Sequence, residues 1–216
     1  FGIEVIKENG AVFIILLASF TTIIASIIAL KQDSIKLRLA YSTIGQLAYI
    51  VLATAILAPF SILAAVLHLA FHALGKIILF LSAGIIATRV NVKYVSEMNG
   101  ISTSLPYTSL LLSLGAIIMV GLPPTIGFIS KWFLIQGIID ADMYILVAVI
   151  ILSTILNAAY YFPMIYKPFF GPSDKTFTYK EDMFLVFPVA LIGLFSVVLF
   201  FTAETFIIFI EQQILL

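Results

Sequence analysis

Cysteine is absent from the 216-residue chain, which excludes disulfides, thiolate-held iron–sulfur clusters and cysteine-based zinc sites. Charge is scarce too. Asp, Glu, Lys and Arg make up 10% of the residues, where a soluble domain carries about 25%. The 11 basic and 11 acidic residues cancel and form no basic stripe, so nucleic acid has no footing as a partner. No Gly-rich dinucleotide fingerprint is present, and nothing else in the sequence signals a cofactor. The 2 histidines supply at most two of the three or four ligands a zinc ion takes, so a metal site is not expected and a metal-using membrane enzyme is the weakest class open to the chain.

Apolar side chain is what the sequence has in excess. It is 62% hydrophobic with a mean hydropathy of +1.21, more than a globular interior of this size can hold. Lipid takes the surplus in a multi-span membrane protein. Polar and Pro/Gly punctuation divides the chain into apolar runs at about 10–30, 39–59, 61–88, 105–122, 126–139, 143–166 and 184–209. Most approach the roughly 20 residues that cross about 30 Å of hydrocarbon. They must be helical, because lipid offers no partner to open backbone groups. Weak period-two alternation argues against a lipid-facing barrel. The expected fold is an all-α polytopic transmembrane bundle of six or seven crossings.

The fifth run is too short to span alone. It either continues into the sixth or pairs across "GLPP" with the fourth, because consecutive prolines remove two amide donors. The chain starts at Phe1, and the first run lacks the basic flank and cleavage pattern of a signal peptide. A piece of a longer polypeptide is the better expectation. Loop charges orient the chain weakly. Lys31, Lys36, Arg38, Arg89 and Lys93 stand against Lys7, Lys167, Lys175 and Lys180 at other ends, which slightly favours a cytoplasmic position for the first group.

Polar residues inside the runs carry the functional reading. In "LHLAFHALGKIILF", His68, His72 and Lys76 recur every fourth residue, which lays them in a tilted stripe on one helix face. The stripe covers about 12 Å of helix axis. A charge at such depth faces a bundle interior or water, and histidine titrates near neutrality through two ring nitrogens. The stripe has the parts of a proton relay. The alternative is that each side chain merely bonds a neighbouring helix.

In "SIKLRLAYSTIGQLAYI", Lys36 is either buried or interfacial. Arg38 is expected at the interface, snorkelling toward headgroups. Ser42 and Gln46 continue a polar strip that holds water or ties helices. In "GLPPTIGFISKW", Lys131 lies beside the Gly/Pro break, where exposed backbone ends can hold ions or orient side chains; beside Trp132 it can equally be an interface lysine. Ser113, Ser153, Thr154, Asn157, Tyr160 and Tyr161 read as helix glue, with the alternative that Ser153 and Asn157, four apart, add to a polar axis. Glu204, late in the last run, is interfacial or meets a partner subunit.

"IKLRLAYSTIGQLAYI", "HLAFHALGKIILFLSAG" and "GLPPTIGFISKW", in this order and spacing, resemble the proton-translocating antiporter-like subunits. These are the large membrane subunits of NADH–quinone oxidoreductase, of multisubunit sodium/proton antiporters and of membrane-bound hydrogenases. "SEMNGISTSLPYTSLLLSLGAI" resembles the family's linker and next span, and the match runs from about residue 10 to 168.

The resemblance implies proton translocation, with protons or Na+ as coupling ions, lipid around the chain and other membrane subunits as partners. It implies a multi-pass protein of the inner cell membrane, or of an organelle inner membrane. It places Lys36, His68, His72, Lys76 and Lys131 on the family's relay positions. The family usually has Lys-Arg where this chain has Leu37 before Arg38, and many relatives have an acidic residue where it has Trp132. The first repeat's Trp-Glu pair and lysine are missing. The chain is therefore expected to hold the second inverted repeat, with one discontinuous helix, in residues 1–168, and a polar loop with a C-terminal flanking helix in residues 169–216. Electron transfer belongs to other subunits in this family. A structural or assembly subunit without transport of its own remains the alternative.

Overall fold

A computed structural model describes residues 11–172 and 179–214. The first ten residues of the expected 1–168 unit, and with them Lys7, lie outside the described residues, as does Lys175. The regular elements described are helices: α1 (Ala11–Lys31), α2 (Ile35–Ile56), α3 (Pro59–Arg89), α4 (Pro106–Val120), α5 (Ile126–Asp140), α6 (Ile145–Phe170), α7 (Met183–Phe201) and α8 (Ala203–Ile214), with short 3₁₀ turns at Val95–Glu97 and Ile101–Thr103. Residues Ser34 and Tyr94 form an isolated antiparallel bridge.

Among the described residues five helices are long and apolar enough to cross a membrane: α1, α2, α3, α6 and α7. The 15-residue α4 and α5 each rise about 22 Å, short of the hydrocarbon thickness. They make a crossing together. Gly115 of α4 lies against Ile78 and Leu79 of α3, and Gly137 of α5 lies against Ser61 near the start of α3. The pair thus runs down α3 in one direction, interrupted at Gly121–Thr125, and the short fifth run pairs with the fourth rather than the sixth. The Pro/Gly punctuation explains why. Gly121 adopts φ +79 and its N–H closes α4 on the carbonyls of Ile117 and Ile118, a left-handed cap that favours glycine, and the prolines that follow cannot continue the ladder.

Helix α3 is the hub. It packs against α2, α4, α5, α7 and α8, and its 31 residues are about 46 Å long. One end of the bundle is clasped. The amide of Ile35 donates to Lys93 O at 3.0 Å, Val95 N to Asp33 O at 2.8 Å and Gly100 N to Lys167 O at 3.1 Å. The Asp33 carboxylate accepts from the Ser96 amide and hydroxyl at 2.9 and 2.6 Å. The Glu181 carboxylate takes the amides of Tyr107 and Thr108 at 3.0 and 2.7 Å and also the Thr108 hydroxyl, capping the orphan donors of α4.

This clasp corrects the expected loop charges. The C-terminus of α6 comes to the same end as the α1–α2 turn, so Lys167 and Lys180 join Lys31, Lys36, Arg38, Arg89 and Lys93 there. The opposite end holds Asp140 and Asp142 at the α5–α6 turn and, among the described residues, no lysine or arginine. A second departure concerns the last run. It breaks at Thr202, so that α8 follows α7 as a separate helix along α3.

Candidate functional site

The structure gathers His68, His72, Lys76 and Lys131 inside the bundle. All four are buried, at 7, 8, 6 and 6% exposure. It does not bring Lys36 to them. Lys36 is exposed at the clasped end, on the rim of an apolar cavity of about 400 Å3 that it shares with Lys93, Phe80 and Val92. Arg38 takes the buried place instead, correcting its expected interfacial position. Residues 36 and 38 lie about 200° apart around a helix, so one helix rotation cannot bury both. Arg38 is 6% exposed. Its guanidinium donates to Gln32 O through Nε at 2.8 Å and to Tyr160 O through Nη1 at 2.8 Å, fastening α2 to the preceding turn and to α6.

Lys76 projects from α3 between α2 and α6. Its Nζ donates to Leu39 O at 2.9 Å, to Ser42 Oγ at 2.8 Å and, more weakly, to the Tyr161 hydroxyl at 3.4 Å. Ser42 and Tyr161 are themselves 2.6 Å apart. The strip of Ser42 and Gln46 on α2 and the tyrosine on α6 therefore converge on the lysine. Among the described residues no carboxylate touches Lys76 or Lys131; carbonyls, hydroxyls and ring faces surround them.

The broken helix builds the other half. At the end of α4 the last carbonyls have no helical donor and carry the negative end of the helix dipole. Lys131, on the second turn of α5, donates from Nζ to Val120 O at 2.8 Å and to Thr154 Oγ1 at 3.3 Å. Gln46 Nε2 donates to Met119 O at 3.4 Å. Gly127 makes this junction possible, because a Cβ there would stand 1.9 Å from Ile118 O. The Tyr49 ring lies between the two halves, 5.3 Å from Lys131 Nζ and 5.5 Å from the His68 ring.

His68 sits at the junction of α2, α3 and α5. With the Gln46 amide nitrogen turned to Met119, its Oε1 faces His68 Nε2 at 3.1 Å, an orientation that matches the tautomer with the proton on Nε2. On the other side Nδ1 lies 2.9 Å from Ser130 Oγ, and that hydroxyl also reaches Gly127 O at 3.2 Å. A neutral ring accepts from Ser130. A protonated ring donates to Ser130, whose hydroxyl turns to Gly127 O. Both states leave every group satisfied, and the change is one hydroxyl rotation. His72 stacks on His68 at 6.1 Å, and its Nε2 is buried without a hydrogen-bond partner. A cavity of about 10 Å3 lies among His68, His72, Gln46 and Ser130, about the size of one water.

Sequence reasoning missed Tyr49 and Ser130. The signal for Tyr49 was present: Ser42, Gln46 and Tyr49 follow the 4-then-3 spacing of one helix face. Ser130 adjoins Lys131 inside a motif already singled out. Asn157 joins α6 to α1, accepting from Ser26 at 3.1 Å, while its Nδ2 and the hydroxyls of Ser153 and Tyr49 are buried without partners. Among the described residues no group of three or more His, Cys, Asp or Glu could hold a metal.

Comparison with known proteins decides the family. Residues 2–157 match the profile described as NADH:quinone oxidoreductase/Mrp antiporter, TM. The chain belongs to this family. It is 32% identical over 197 residues to NADH-quinone oxidoreductase subunit N of Desulforudis audaxviator, a match that covers 85% of this chain and 39% of that protein. Its fold is similar to a chain of the membrane-bound sulfane sulfur reductase, described as an archaeal respiratory membrane complex, with a TM-score of 0.88, 25% identity and coverage of 94% of this chain and 42% of that one. A chain of the Mrp complex from Dietzia sp. DQ12-45-1b shares the fold, with a TM-score of 0.82 at 18% identity over 94% of this chain and 46% of that one. This is a multi-pass all-helical membrane protein, and it spans about two fifths of the length of the relatives it matches.

Proposed function

We propose that the chain is a proton-translocating part of a multisubunit respiratory or antiporter membrane complex, and that His68, His72, Lys76 and Lys131 relay the protons. The observation that carries this reading is the pair of buried lysines without a carboxylate partner among the described residues. Neutral partners hold the ammonium in place yet leave its proton free to leave. Ser42 and Tyr161 extend the Lys76 end. Gln46, His68 and Ser130 form the centre, the cavity has room for one water to bridge the Ser130 hydroxyl to the orphan nitrogen of His72, and the Tyr49 ring adjoins Lys131. Lys36 stands outside this set.

Residues 1–168 carry the relay, and residues 169–216 form the flank. The clasped end with its basic residues faces the cytoplasm under the positive-inside rule, which fits an inner cell membrane or an organelle inner membrane. Redox chemistry belongs to other subunits, and protons or Na+ are the coupled ions.

The test is proton flux in proteoliposomes holding the complete parent complex. Lys76→Ala is expected to abolish most of the flux while the complex still assembles; normal flux refutes the relay. One observation favours a structural reading instead: the bonds of Lys76 join α3 to both α2 and α6. On that reading Lys76→Ala lowers the yield of assembled complex and leaves flux per complex unchanged.

A further inference from the structure

A carboxylate stands at the mid-depth of the bundle, on its outside. Glu204, at the start of α8, is exposed. Its depth follows from packing. Gly193 of α7 lies against Leu111 and Leu114 of α4, and Gly115 of α4 against Ile78 and Leu79 of α3. One step further along, the Phe206 ring lies 6.3 Å from that of Phe71. Helices α7 and α8 therefore run down α3 toward its Pro59 end as an interrupted column, and Glu204, two residues before Phe206, is level with His72. That level is about 20 Å from the Pro59 end of α3, near the middle of that helix and so close to the midplane of a hydrocarbon layer about 30 Å thick centred on it. The interfacial reading of this residue from sequence is therefore set aside.

Glu204 makes no hydrogen bond or ion pair with any described residue. No described cation can reach it. Lys76 and Lys131 are bonded to α2, α4 and α6, and the other described basic residues sit at the clasped end. Its neighbours in the chain, from Val197 to Ile210, are apolar apart from Thr202 and Thr205, and the outer face of α7 is exposed along its length through Phe187, Leu191, Leu194 and Val198. A charge facing lipid at this depth is costly, and such groups almost always pair.

We propose that the Glu204 face docks a transmembrane helix of a separate membrane subunit, and that this helix presents a Lys, Arg or His side chain at mid-depth to the carboxylate. Charge complementarity selects the partner's side chain. The solved relatives being chains of multisubunit membrane complexes selects a separate subunit, and the apolar column of α7 supplies the packing on either side of the ion pair. The inference rests on the assembly part of the proposed function and not on the relay, so the two fail separately.

The experiment uses the intact complex in its native membrane. A photoreactive phenylalanine analogue replaces Thr205, and the adduct is mapped by mass spectrometry. The expected adduct joins another membrane subunit, in a transmembrane segment with a basic residue within one helical turn of the cross-link. In parallel, Glu204→Gln is expected to lower several-fold the fraction of complex that survives mild detergent on a native gel, with proton flux per surviving complex unchanged. An adduct confined to lipid, an adduct within the same polypeptide, a partner segment without a basic residue, or unchanged detergent survival of Glu204→Gln overturns the proposal.

Discussion

The clasped end and the interior axis treat charge in opposite ways. At the clasped end, acidic groups meet fixed donors: Asp33 holds Ser96, Glu181 caps α4, and Arg89 lies 3.6 Å from Asp182. Inside, Lys76 and Lys131 meet neutral oxygens and aromatic faces. A carboxylate used as a cap locks a helix end in place. A buried cation held by neutral oxygens alone is the arrangement that the proposed relay requires and a structural tie does not. On the proposed function, the end holds the helices in register and the axis changes state within that frame.

Substitutions separate the two regions, and the largest effect is expected in the axis. Lys131→Met keeps length and removes charge. Proton flux should fall on the order of a hundredfold, the scale of losing one positioned proton-transfer group, with assembly retained; flux within twofold of the parent complex breaks the contrast. Gly127→Ala is next. Its Cβ would stand 1.9 Å from Ile118 O, so the α4–α5 junction must open, at a cost of about 1–3 kcal/mol for overpacking. Both melting temperature in detergent and flux should drop. Glu181→Ala touches the clasp alone. Loss of the α4 cap should cost about 1–2 kcal/mol, read as a lower melting temperature with flux per folded complex unchanged. The smallest effect is Arg89→Ala. Its partner is half exposed, with side-chain exposures of 39 and 43%, and such pairs contribute about 0–1 kcal/mol. A larger loss of stability would mean the clasp depends on this pair more than its exposure allows.

Much of this was legible in the sequence. Apolar runs of spanning length gave the crossings, and "GLPP" gave the break, because proline and a left-handed glycine leave a helix few alternatives. The stripe His68–His72–Lys76 was readable from its spacing of four. What was not readable shares one cause. In lipid, both faces of a helix are apolar, so hydrophobic periodicity does not mark which face is buried. That is why Arg38, expected at the interface, is buried, why Lys36, placed on the relay by the resemblance, is exposed, and why Tyr49 was passed over. The break at Thr202 has no glycine or proline to announce it, and the gathering of Lys167 and Lys180 at the basic end depends on counting the α4–α5 pair as a single crossing.

The account depends most on Lys76 and Lys131 serving one continuous route. Proton flux should therefore be measured for Lys76→Arg, for Lys131→Arg and for the double variant in the same assembled complex. Steps in series predict that the double variant is about as slow as the slower single variant. Losses that multiply, as for independent sites, would contradict the connected axis.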